Sequence, residues 1–155
     1  MARRVKRKRG RFELHLDPRE RELLRGLLGE LRGLLELEAG DPRLARLYPD
    51  AYTDDPEQAD EYRRMTHEEL KQGRLAGIEL VEASIEERVL SDEQLTAWMQ
   101  AVNSLRLILG TMLGITDDDQ ELMFDPEDPE AQTQALYAYL GGLLDEIVDA
   151  QLEAL

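Results

Sequence analysis

The sequence predicts an all-α fold, a helical bundle of about four long helices with shorter ones between them. Three observations predict it. Leucine and alanine dominate the apolar residues and aromatics make up only 5% of the 155, a balance that suits helices better than a sheet sandwich. Long segments repeat their apolar residues with a 3.6-residue period. Capping signals, an Asp, Ser or Thr followed three residues later by Glu or Gln, open these segments at short intervals. The length fits one domain of roughly 100–200 residues.

At the N-terminus, Phe12, Leu14 and Leu16 alternate with Glu13 and His15, which is a strand pattern. Gly10 separates that run from Arg4-Val5-Lys6-Arg7, so a small hairpin fits here. Asp17-Pro18 with Glu20 then caps a first helix. Leu23, Leu24, Leu27, Leu28, Leu31, Leu34 and Leu35 lie on one of its faces, and Gly40-Asp41-Pro42 ends it. A short helix is expected from Pro42 to Leu47, then irregular chain from Tyr48 to Pro56. Asp55-Pro56 starts a short helix to Arg64, and Thr66 with Glu69 caps a separate one to about Arg88. Ser91 with Gln94 opens the next, which Gly114 stops after Leu113. Residues 116–124 hold one acidic turn, and Asp128-Pro129 opens a final helix to the C-terminus.

Charge divides the chain differently. Net charge is −15, from 19 basic and 34 acidic residues. Arg3, Arg4, Lys6, Arg7, Lys8, Arg9 and Arg11 all fall in the first eleven residues, and without them 12 basic residues face 34 acidic ones. The organisation expected is therefore a basic leader over 1–11 and a single helical domain over 12–155. An acidic body repels nucleic acid and anionic membrane at long range. The leader is its one evident nucleic-acid contact, and in a homodimer its charge doubles. With so few apolar residues before Phe12, the leader reads as a tail, dispensable for folding. No apolar run of about 7–15 residues follows it, as a secretory signal requires, and no 18-residue apolar run offers a membrane span. The expected compartment is the cytoplasm.

Chemistry-bearing motifs are few. No cysteine is present, which excludes disulfides, thiolate metal sites and a thiol nucleophile. Asp117-Asp118-Asp119-Gln120-Glu121 lacks the alternating ligands and the glycine of a calcium loop. His15 and His67 have no nucleophile motif beside them, and no phosphate loop precedes Gly26, Gly29 and Gly33. No cofactor, metal or catalytic residue is expected. Two arginines break the apolar pattern: Arg74 among Leu70, Ile78 and Val81, and Arg106 among Val102, Leu105, Leu109 and Leu113. A guanidinium cannot shed its charge, so burial demands oxygen partners. Buried ion pairs with the acidic Tyr48–Asp60 segment answer that demand. So does an anion pocket framed by Arg74 and Arg106, with Asn103 as a further candidate.

Larger motifs carry a resemblance. They are Leu47-Tyr48-Pro49-Asp50-Ala51-Tyr52-Thr53-Asp54-Asp55-Pro56, Tyr62-Arg63-Arg64-Met65-Thr66, Leu70–Leu75, Trp98 and Asn103–Ile115. Through them the chain resembles, over nearly its whole length, an actinobacterial family of unknown function (AosR-like) whose genes tend to lie beside that of the ClpS protease adaptor. Some members are described as oxidative-stress transcriptional regulators. The resemblance implies a cytoplasmic, mostly helical, non-enzymatic protein. In such members the redox role rests on a Cys-x-Cys pair, which this chain lacks. Three functions follow. The first is a regulatory or interaction protein linked to transcription, with a protein or DNA partner. The second is an accessory module of regulated proteolysis. The third is an enzyme or sensor that binds a small anion at Arg74 and Arg106.

Overall fold

A computed structural model describes residues 3–37, 42–44, 47, 56–114 and 127–154. Four long helices and a small antiparallel sheet make up the architecture. Strands β1 (Val5–Lys8) and β2 (Arg11–Leu14) form the hairpin. Arg9 and Gly10 between them have φ of 52° and 79°, the two positive values that a tight two-residue turn needs. A third strand, β3 (Val89–Leu90), was not expected; it pairs with β2, Phe12 opposite Leu90 and Glu13 opposite Val89. The sheet order is β1-β2-β3. Val5, Phe12, Leu14 and Leu90 are buried on its inner face.

Helix α1 (Pro18–Leu35) begins with the expected capping box between Asp17 and Glu20. Its buried face is Leu24, Leu27, Leu28, Leu31 and Leu35. A 3-10 turn over Pro42–Leu44 follows, shorter than the helix expected there, and it buries Leu44. Helix α2 (Pro56–Ser84) corrects two expectations. It runs unbroken through Thr66, where a separate helix was to start. No glycine or proline interrupts residues 57–72, so the local cap signal loses to continuation of the backbone ladder. It also stops four residues before Arg88, because the chain is drawn into β3.

Helix α3 (Asp92–Met112) opens on the expected Ser91–Gln94 capping box. It sits at the centre, packed on α1, α2, α4 and the sheet. Trp98, 1% exposed, donates its indole N–H to Ser84 Oγ at 2.8 Å. The Ser84 hydroxyl lies 2.8 Å from the Leu80 carbonyl, so this buried polar pair is satisfied. Helix α4 (Ala131–Glu153) starts two residues later than Asp128-Pro129 suggested. Asp128 still contributes, since its Oδ1 accepts from the Glu130 amide at 2.8 Å. The acidic turn expected over 116–124 lies outside the described residues. Among the described residues, no helix is long and apolar enough to cross a membrane.

Candidate functional site

The seven leader cations separate into two groups. Strand alternation puts Val5 and Arg7 on one face of β1, and Lys6 and Lys8 on the other. Because Lys6 faces Glu13 and Lys8 faces Arg11 across the hairpin, the outer face carries Lys6, Lys8, Arg11 and Glu13. Arg9 occupies the turn. Lys6, Lys8, Arg9 and Arg11 are all exposed. Lys8 Nζ lies 3.6 Å from Glu13 Oε1, an exposed pair with little binding energy of its own.

Arg3, Arg4 and Arg7 turn the other way, onto the acidic body. Arg4 is the centre of a cluster that joins the chain's start to α1 and α4. Its Nε donates to the Glu20 carboxylate, and its backbone amide donates to Glu146 Oε1 at 2.6 Å. The guanidinium lies 5.2 Å from the centroid of the Tyr139 ring, within cation–π range. Tyr139 in turn donates its hydroxyl to Glu20 Oε1 at 3.2 Å. The hydrogen bond that Arg4 donates to Glu20 raises the Arg4 pKa against the opposing effect of burial. Burial, and then the Glu20 charge, push the Tyr139 phenol well above its ordinary value. Arg3 pairs with Glu153 at 2.8 Å, and Arg7 Nη1 donates to the Glu153 carbonyl at 2.6 Å.

This anchoring corrects the reading of the leader as a tail. Val5 is fully buried and β1 packs against α4. Sequence reasoning missed it because a single apolar residue among seven cations gives almost no periodic signal. The acids that hold the segment lie as far as 150 residues away. Three of the seven cations are thus consumed within the fold, and the outward set is four.

The two stripe arginines do not come together. Arg106 is half-buried on the α4 side of α3, where Nη1 donates to the Tyr137 hydroxyl at 3.2 Å and the guanidinium lies 5.8 Å from the ring centroid. Among the described residues its partner is a phenol and not the expected carboxylate. Arg74 is half-buried on the other side, donating from Nη2 to the Leu47 carbonyl at 2.7 Å. The side chains of Asp54, Asp55 and Asp60, the expected acidic partners, lie outside the described residues. Arg74 and Asn103 share a cavity of about 310 Å³ between α2 and α3, and Arg106 is not part of it.

Similarity to known proteins extends over most of the chain. Residues 2–151 match the family model of a domain of unknown function, DUF2017. A protein named oxidative stress regulator AosR from Mycobacterium bovis is 33% identical over 144 residues, which cover 68% of this chain and 66% of that relative. A protein of the same name from Mycobacterium tuberculosis matches to the same extent. The chain thus spans slightly less than two-thirds of the length of these curated relatives. No solved structure matches it.

Proposed function

The chain belongs to the DUF2017 family, and from that premise we propose that it is a non-catalytic cytoplasmic regulator that acts on transcription by contacting DNA through its N-terminal hairpin. The name borne by the mycobacterial relatives supports a regulatory role. The hairpin supports the DNA contact. Lys6, Lys8, Arg9 and Arg11 project from a rigid ribbon whose base is locked to the body by Arg4. A two-stranded ribbon fits the major groove of B-DNA, and fixed cations bind phosphate with less ordering cost than a flexible tail. The strongly acidic remainder holds the duplex off every other surface, so the contact is confined to this edge.

Counterion release gives the test. Four phosphate contacts imply a slope near −4 in log affinity against log salt, and a dimer presenting two hairpins a slope near −7. Titration of a labelled duplex at about 50 and 200 mM salt should therefore show at least a hundredfold loss of affinity for the monomeric case. The Lys6→Ala/Lys8→Ala/Arg9→Ala/Arg11→Ala variant should lose this binding while keeping its helical spectrum. Absence of binding at low salt, or binding that survives the quadruple substitution, would show the reading to be wrong.

A further inference from the structure

Resting on the hairpin reading and deepening it, we infer that the outer face of the sheet reads base edges in the major groove, Glu13 accepting from a cytosine amine and Val89 meeting a thymine methyl. The third strand makes this face wider than the hairpin. Phe12 and Leu90 stand opposite one another and are buried, so strand alternation turns the next opposed pair, Glu13 and Val89, outward. Lys6 stands opposite Glu13 on the other side. One row, Lys6-Glu13-Val89, therefore crosses all three strands. It spans two strand spacings, about 10 Å, against a major groove about 12 Å wide.

Charge on this face falls into two zones. The cations lie along β1, as Lys6 and Lys8, and toward the turn, as Arg9 and Arg11. Glu13 occupies the central strand, and Val89 lies beside it on β3. Neither suits phosphate: the carboxylate repels it, and the valine, 44% exposed, offers only methyl groups. A surface that only collects phosphate gains nothing from either residue. Base edges do use them, because a carboxylate accepts from the cytosine N4 amine and an apolar side chain packs on the thymine C5 methyl.

Glu13 keeps the capacity to accept. Its oxygens lie 3.6 Å from Lys8 Nζ and 3.6 Å from His15 Nε2, which is beyond hydrogen-bonding distance. The neighbouring cations hold the carboxylate in place without using its lone pairs. Opposed side chains on one face have Cβ atoms about 4.5–5.5 Å apart, which puts the two contacts on adjacent base pairs. The preferred duplex thus carries a cytosine next to a thymine, with the flanking phosphates held by the hairpin cations.

Three duplexes of equal length, and so of equal charge, are the probes for the full-length protein. One has repeating TC on one strand and GA on the other, the second has deoxyuridine in place of its thymidine, and the third is repeating TA, without cytosine. At about 150 mM salt the TC duplex should bind at least fivefold tighter than the TA duplex, the discrimination of roughly one matched base pair. Deoxyuridine should cost about fourfold, the value of one buried methyl group. Val89→Ala should erase that difference and leave the salt slope unchanged. Glu13→Ala should weaken TC binding and tighten TA binding, since removing an acid from a basic face favours phosphate wherever no base contact is lost. Three results overturn the inference: equal affinity of the wild type for all three duplexes, a thymidine preference that survives Val89→Ala, or tighter binding of Glu13→Ala to TC. In each case, a steep salt dependence that the quadruple hairpin substitution abolishes would leave the hairpin reading standing. Absence of binding to every duplex at low salt removes both.

Discussion

Tyr139 is the residue whose surroundings most change its chemistry. Its hydroxyl donates to Glu20 while its ring lies under Arg4, so ionisation would leave a phenolate facing a carboxylate in a partly buried site. The folded-state pKa is consequently raised above the ordinary 10. A raised folded value makes the contribution to stability complete below pH 10 and progressively lost above it, where the unfolded phenol ionises first. Stability of the wild type should therefore fall between about pH 10 and 12 more steeply than that of Tyr139→Phe. At neutral pH the same variant should cost about 0.5–1.5 kcal/mol for the lost hydrogen bond. Urea unfolding at neutral and alkaline pH checks both expectations, and parallel alkaline limbs in the two proteins would refute the first. Arg106 carries a different lesson. Its place in an apolar stripe was legible in the sequence, but the partner it meets is a phenol 31 residues along the chain, which accepts a hydrogen bond without supplying a counter-charge.

Among the elements, the hairpin is the one whose energetic role inverts on seeing its neighbours. As a sequence, residues 3–11 look like a solvated tail; in the fold, β1 forms one edge of the sheet and packs against α4. Deleting residues 1–9 removes the buried Val5 side chain, the Arg4 cluster and every β1–β2 hydrogen bond. Burial of one valine is worth about 1.5–3 kcal/mol and each lost hydrogen bond about 1 kcal/mol. The deletion should therefore lower unfolding free energy by at least ~3 kcal/mol, which a denaturant melt would detect readily. An unchanged midpoint would restore the tail reading. By contrast, the starts of α1 and α3 were legible to the residue, because their capping boxes are local signals. The apolar faces were legible in outline: α1 ends at Leu35, short of the expected Gly40, Leu23 is exposed, and Leu109 is only partly covered on α3.

For the whole molecule, the net charge of −15 is the largest electrostatic influence outside the core. Surface pairs such as the exposed Arg25–Glu86 and the half-buried Arg32–Glu82 link α1 to α2, but surface pairs are typically worth only about 0–1 kcal/mol and are weakened by salt. Self-repulsion of the acidic body is weakened by salt as well, and with nearly two acids per base it is the larger effect. The melting midpoint should therefore rise between about 0.02 and 0.5 M sodium chloride, as the screening length shrinks to a few ångströms. A falling midpoint would show that the surface pairs carry more of the stability than their exposure indicates.

Local sequence alone dictated the helical class, the capped starts of α1 and α3, the leucine core and the segregation of charge. All of these follow from residues within one or two turns of each other. Long-range packing set the continuity of α2 and the recruitment of Val89–Leu90 as a third strand. It also set which leader cations face outward and which side of α3 each stripe arginine occupies. These outcomes depend on partners far along the chain, such as Glu146 for Arg4 and Tyr137 for Arg106. The cavity between α2 and α3 belongs to the same group. Gly73, Gly77 and Ser104 carry no signal in the sequence, and only the packing of two helices brings them to one cavity.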